Sequence, residues 1–294
     1  MNSNNIGRVV FWMTGALLSF SIMAVSIRGL GPVLNPFEML ALRNGSGVLM
    51  LCALIAVRPA LRLDINLQRI RLHLLRNVVH FAAQVGWVQS ILLLPLATVF
   101  ALEFTTPIWV ALLAVVALGE RMTLNRAATV LLGFAGVLVI MRPGLESFQP
   151  AALLMLAVAA GFAVNAVVIK KLTATQTTFA ILFWMNLIQL PLNLLGSDPF
   201  FLGKLGSAQV LPALGFAVAG LTSHYCFTNA FRSGDALVVV PLDFLRIPLI
   251  ATVGWLLFGE ALDPLVFAGA GLIIAGILWN LLVEARRQRA AAAE

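Results

Sequence analysis

The chain repeats itself, and each copy carries an odd number of apolar spans. Leu118-Gly119-Glu120 returns as Phe258-Gly259-Glu260, an offset of 140 residues. Without a gap, the same offset sets Glu103 opposite Asp243, Gln84 opposite His224 and Gly136 opposite Gly276. Earlier in each half an offset of 142 pairs Arg28 with Lys170, Phe37 with Phe179 and Asn44 with Asn186. A membrane-crossing helix needs about 20 mostly apolar residues. Runs of that kind are predicted at 8–28, 36–57, 73–94, 97–117, 124–141, 151–170, 176–195, 209–230, 236–258 and 264–283. With five spans per copy, the second copy enters the membrane upside down, the construction used by many secondary transporters. The predicted fold is an all-α integral membrane protein of ten transmembrane helices in two inverted five-helix repeats, 1–145 and 146–294, the second ending in a short basic tail.

Composition fits that solvent. Of the 294 residues, 61% are hydrophobic and 11% charged, with a mean hydropathy of +1.00, values of a polytopic membrane protein. The apolar run after Arg8 is long enough to span and lacks a convincing small-residue cleavage site, so it is read as a retained first helix. Cys52 and Cys226 lie in apolar runs without metal-type spacing and are expected to be small buried hydrophobes. Loops holding Arg58, Arg62, Arg69, Arg71, Arg121, Arg126, Lys170, Lys171 and Arg232, and both tails, carry most of the basic residues, whereas the opposite side has Arg28, Arg142 and Lys204. The positive-inside rule then sets both termini in the cytoplasm. The net charge of +7 is accounted for by topology and lipid headgroups, with no nucleic-acid partner expected.

Ionisable groups inside spans cost about 2.5–3.5 kcal/mol each at the bilayer centre on insertion scales, so each needs a reason. Glu103 and Asp243 are such groups, at matching positions of the two repeats. They are read either as proton or amine sites of an alternating-access cycle or as buried structural acids. Arg246, three residues after Asp243, is placed to neutralise it. Pro107 removes the donor that would bond the carbonyl of Glu103, and Pro241 and Pro248 bracket Asp243 and Arg246, so these prolines are candidate hinges or simple packing kinks. Arg43 is predicted to snorkel toward the outer surface, to pair with Glu38 near that surface, or to grip a substrate carboxylate. On the third span Arg76, His80, Gln84 and Trp87 share one face. The eighth span offers His224, Thr228, Asn229 and Arg232, and the seventh Asn186, Gln189 and Asn193. These stripes are expected to line one central cavity, with interhelical hydrogen bonding as the plainer alternative. Trp87, Trp109 and Trp184 would supply apolar wall.

No Walker-type loop, metal motif or nucleophile elbow is present, and no cofactor, metal or enzyme activity is expected.

The stretch Pro95-Leu96-Ala97-Thr98, Phe104-Thr105-Thr106-Pro107, Leu118-Gly119-Glu120-Arg121, Gly133-Phe134-Ala135-Gly136 and Arg142-Pro143-Gly144 resembles an EamA repeat. A looser second version ends in Gly259-Glu260 and Gly271-Leu272-Ile273-Ile274-Ala275-Gly276. The whole chain thus resembles the drug/metabolite transporter superfamily in its ten-helix form. The resemblance implies a bacterial inner-membrane carrier of small organic molecules, with a cavity walled by the first four helices of each half. It places the fifth helices at the periphery or at a homodimer contact. The expected function is export of amino acids or similar compounds, as in the YddG-type branch, with proton coupling considered. Import of riboflavin, S-adenosylmethionine or a similar cofactor-like solute is the alternative. A non-transporting membrane protein or an intramembrane enzyme is the remote one.

Overall fold

The structure, a computed structural model, describes residues 6–118, 124–142, 149–173, 175–233, 239 and 242–291. Among them there is no strand. The helices are α1 (Ile6–Leu30), α2 (Pro36–Val57), α3 (Ile70–Leu93), α4 (Leu96–Glu103), α5 (Thr106–Leu118), α6 (Leu124–Met141), α7 (Ala151–Thr173), α8 (Thr178–Leu194), α9 (Ser207–Ser233), α10 (Arg246–Phe258) and α11 (Pro264–Ala291). Ile6–Leu30, Pro36–Val57, Leu96–Leu113, Ala151–Ile169, Ser207–Phe227 and Pro264–Val283 are long and apolar enough to cross a membrane.

On α3 the burial pattern is inside-out relative to a helix of a water-soluble bundle. On α3, His73, Arg76, Asn77, His80 and Gln84 are buried, while Leu74, Leu75 and Val78 are about half exposed. Lipid tails welcome the leucines, and the polar groups find partners only inside the protein. The same logic corrects the reading of Cys52, which is exposed, and of Cys226, which is only half-buried. An apolar run in a membrane helix has a lipid face, so hydrophobicity does not imply burial.

The predicted span 97–117 is interrupted at Phe104 and Thr105, which form a turn between α4 and α5. Pro107 supplies no N–H for the carbonyl of Glu103, and the Thr106 hydroxyl donates to that oxygen instead at 2.7 Å. Thr105 does the same for Leu102, also at 2.7 Å. Hydroxyls thus satisfy the carbonyls that the break releases, as membrane depth requires. The stretch before α10 breaks at the matching place, with a turn at Phe244 and Leu245 and Ile247 N–H bonded to the Phe244 carbonyl at 3.2 Å. Pro248 follows there; Pro241 lies outside the described residues.

Two compact units emerge, and neither is a sequence half. The first comprises residues 1–21, 93–160 and 222–294; the second comprises residues 22–92 and 161–221. In the first unit α6 lies against α11 through glycines. A Cβ on Gly136 would stand 2.5 Å from the Gly269 carbonyl, and Thr129 Oγ1 donates to the Gly276 carbonyl at 3.0 Å. In the second unit α2 packs on α8, where Gly47 makes room for the Asn186 side chain. Asn35 caps α2 in a reciprocal capping box with Glu38, Pro36 occupying the first turn, as expected for a strong helix start.

Candidate functional site

Among the described residues, each unit holds buried polar side chains bonded to one another. In the first unit, Arg246 opens α10 and Glu103 closes α4, so both flank the breaks described above. Arg246 Nη1 meets Glu103 Oε1 at 3.0 Å, and Nη2 meets Asp243 Oδ2 at 3.0 Å. The sequence expectation that Arg246 neutralises Asp243 holds, and Glu103 shares the same guanidinium. Phe20, Phe104 and Phe100 surround that guanidinium, with ring centroids 4.5, 4.9 and 5.2 Å from its Cζ. Phe104 and its repeat-mate Phe244 meet edge to face at 4.9 Å. With both carboxyls ionised the cluster carries one net negative charge. Asp243 Oδ1 is buried and has no hydrogen-bond partner among the described residues.

In the second unit, α2, α3, α7 and α8 contribute a longer network. Arg43 is 4% exposed. Its Nη2 donates to Gln84 Oε1 at 2.6 Å and to Asn44 Oδ1 at 3.2 Å, and its guanidinium lies 5.9 Å from the Phe216 ring centroid. Gly220 faces the Arg43 stem so closely that a Cβ there would sit 2.5 Å from its Cδ. Further along α3, Gln189 Nε2 bridges Asn77 Oδ1 at 3.1 Å and His80 Nδ1 at 3.0 Å. Arg76 bonds Asn165, Asn77 and Met185.

The expected pairing of Arg43 with Glu38 is not seen. Glu38 is taken by the cap of α2, by the Asp198 N–H at 3.3 Å and by Lys204 Nζ at 2.5 Å. That leaves Arg43 with neutral partners. Among the described residues, no carboxylate lies within ion-pair range of Arg43 or Arg76.

The structure brings Arg43, Gln84 and His80 into the network of the second unit, and Glu103, Asp243 and Arg246 into the cluster of the first. Trp87 is buried on α3. Asn186 bonds its own helix at the Leu182 carbonyl, 2.8 Å away. Trp109 packs edge-on against Phe134 at 5.9 Å, and Trp184 Nε1 donates to the Asn66 carbonyl at 3.2 Å. His224 is half-buried on α9, and Pro107 and Pro248 are exposed. The side chains of Thr228 and Arg232 lie outside the described residues.

Sequence reasoning missed three participants. Asn165 is a single amide in a long apolar run, which is itself the signal that it has a polar partner. His73 precedes Arg76 by one turn and extends the α3 stripe. Glu260, read only as a repeat marker, accepts the Leu96 N–H at 2.8 Å, placing a carboxylate at the N-terminus of α4, where the helix dipole favours it. Gly259 makes this approach possible as a left-handed C-cap of α10, with φ of 64°.

The sequence model of the EamA-like transporter family matches residues 7–142 and again residues 149–282. A riboflavin transporter of Rhizobium johnstonii is 32% identical over 74% of this chain and 72% of its own length. An S-adenosylmethionine uptake transporter of Rickettsia felis is 24% identical over 93% and 92%. A pseudopaline exporter of Pseudomonas aeruginosa is 28% identical over 90% and 92%. One solved crystal structure shares the fold at a TM-score of 0.61 and 20% identity, covering 97% of this chain and 98% of the other.

Proposed function

Since the chain belongs to the EamA-like transporter family, we propose that it is a secondary carrier exporting amino acids or amino-acid-like metabolites across a bacterial inner membrane. One observation carries the choice of solute. Arg43 is buried, and among the described residues its guanidinium donates to amide oxygens alone, the arrangement that a carboxylate would complete. The two stretches matched by the family support reading residues 1–145 and 146–294 as two repeats; the odd number of predicted spans in each favours inversion, and the distribution of basic residues favours cytoplasmic termini. Alternating access would then expose His80, Gln84, Trp87, Glu103, His224 and Asp243 in turn to the two sides. No contact between copies of the chain is needed for this cycle, although the family resemblance leaves room for a homodimer.

Coupling is assigned to the Arg246 cluster. A net charge of −1 shared by Glu103 and Asp243 is neutralised by a single proton, and Asp243 Oδ1 is the atom without a partner. Asp243 is therefore as eligible as Glu103 to carry it. The relatives favour a second reading, uptake of riboflavin or S-adenosylmethionine, the solutes in the names of two of them.

The test is flux in proteoliposomes containing only this chain, with radiolabelled amino acids, riboflavin and S-adenosylmethionine, with and without an imposed pH gradient. Accumulation of an amino acid that Arg43→Gln abolishes supports the first reading, and flux of the vitamin or cofactor alone replaces it. A gradient response kept in full by both Glu103→Gln and Asp243→Asn sinks the proton role of the cluster.

A further inference from the structure

We propose that His73 and Arg76, with Asn77 and Asn165, form an anion-binding position in the second unit that takes an oxyanion group of the transported solute, a carboxylate or a phosphate. Arg76 is 2% exposed. Its Nε donates to Asn165 Oδ1 at 3.0 Å, Nη1 to Asn77 Oδ1 at 3.3 Å and Nη2 to Met185 Sδ at 3.5 Å. All three acceptors are neutral. A guanidinium withdrawn from water needs a counter-charge to offset its desolvation, and amide oxygens with a thioether supply none.

His73 is the independent observation. It lies one turn before Arg76 on the same face of α3, is 0% exposed, and packs its ring 6.0 Å from that of Trp184. Both of its ring nitrogens are buried without a hydrogen-bond partner among the described residues. Buried polar atoms are satisfied in the great majority of cases, so an imidazole with neither nitrogen bonded points to a missing acceptor. A buried cation lacking an anion thus stands beside a buried donor lacking an acceptor. One oxyanion answers both. The amide oxygens of Asn77 and Asn165 occupy the guanidinium fork now, and turning either amide would present its NH₂ group to the incoming anion.

Arg43 and Gln84 repeat the chemistry further along. Gln84 follows Arg76 by eight residues on α3, a helix rise of about 12 Å, and Asn77, Gln189 and His80 fill the interval with the hydrogen bonds already described. The two guanidiniums would receive the same anionic group in successive states of the cycle. That last step rests on the carrier reading; the binding position at Arg76 does not.

The experiment measures ligand-induced thermal shifts of the purified full-length chain with two matched pairs, riboflavin against riboflavin 5′-phosphate and phenylalanine against its carboxamide. The member of at least one pair that carries the phosphate or carboxylate should raise the melting temperature more than its partner, which lacks that group, and which pair responds names phosphate or carboxylate. Arg76→Gln and His73→Gln should each weaken that binding about tenfold or more, Arg76→Lys should recover part of it, and Asp263→Asn, which removes none of the cluster's hydrogen bonds, should leave it unchanged. Oxyanion-bearing members that stabilise no better than their partners overturn the proposal, as does wild-type affinity in the folded Arg76→Gln and His73→Gln proteins. Flux of the same probes separates the two readings. Binding without flux removes the carrier and keeps the site, whereas flux indifferent to the anionic group removes the site and keeps the carrier.

Discussion

Arg246 holds two acids at once, and this decides what its loss would do. A methionine there would leave Glu103 and Asp243 buried without their shared cation, a change of about 3–5 kcal/mol for comparable pairs. The melting temperature of Arg246→Met should therefore collapse, and adding Glu103→Gln with Asp243→Asn should restore much of it by removing the orphaned charges. Failure of the triple variant to recover would mean that Arg246 acts through packing on Phe20, Phe100 and Phe104 instead. Outside the spans, titration has a clear sign. The Glu38 carboxylate, and then Asp198, hold the Lys204 ammonium above the usual lysine range, against some desolvation. The resulting stability is present below the ordinary lysine value of about 10.4 and is lost as pH rises through the raised folded-state value. Burial alone would push the Asp263 carboxyl up, but the Arg142 guanidinium and the N–H groups of Leu265 and Val266 outweigh it and hold it below the usual range. Its contribution is present above about pH 3.9 and is lost as pH falls through the lowered value. Melting temperature against pH should show Lys204→Met flattening the alkaline limb and Asp263→Asn the acid limb.

At the scale of elements, the α6–α11 contact is set by the absence of side chains. Gly136→Ala would drive a methyl group into the Gly269 carbonyl, whereas a Cβ on Gly271 meets nothing within 4 Å. The first substitution should cost about 1–3 kcal/mol of stability by overpacking. The second should be neutral or stabilise by up to about 1 kcal/mol, since alanine restricts the unfolded chain. Equal melting temperatures for the two would show that the helices separate freely there.

For the whole molecule, the proposed inverted repeats make a directional prediction. Arg62→Cys and Lys204→Cys, tested in a chain with Cys52 and Cys226 replaced, should react with a membrane-impermeant thiol reagent from opposite sides of the membrane. Labelling of both from one side would refute the topology read from the basic residues. The two compact units draw on both halves of the chain, and their boundaries fall inside α1, α3, α7 and α9. A repeat is a unit of descent along the chain. A compact unit is a unit of packing, and helices that cross a bilayer readily serve more than one.

Apolar run length and turn chemistry located several helices: 36–57 and 124–141 coincide with α2 and α6, because an apolar run of that length in a membrane has one way to satisfy its backbone. The intramembrane charges were legible too, since their cost makes each conspicuous. Partner choice was not. Whether Arg43 met Glu38 or Gln84, whether Glu103 stood alone or shared Arg246, and whether Glu260 was a repeat marker or the cap of α4 all turn on contacts between residues 41 to 164 positions apart. Local pattern has no access to such distances. The break at Phe104 and Thr105 lay between the two cases. Pro107 announced a lost hydrogen bond, but only the tertiary structure decided that threonine hydroxyls would take the freed carbonyls and that the interruption would fall beside the buried charges.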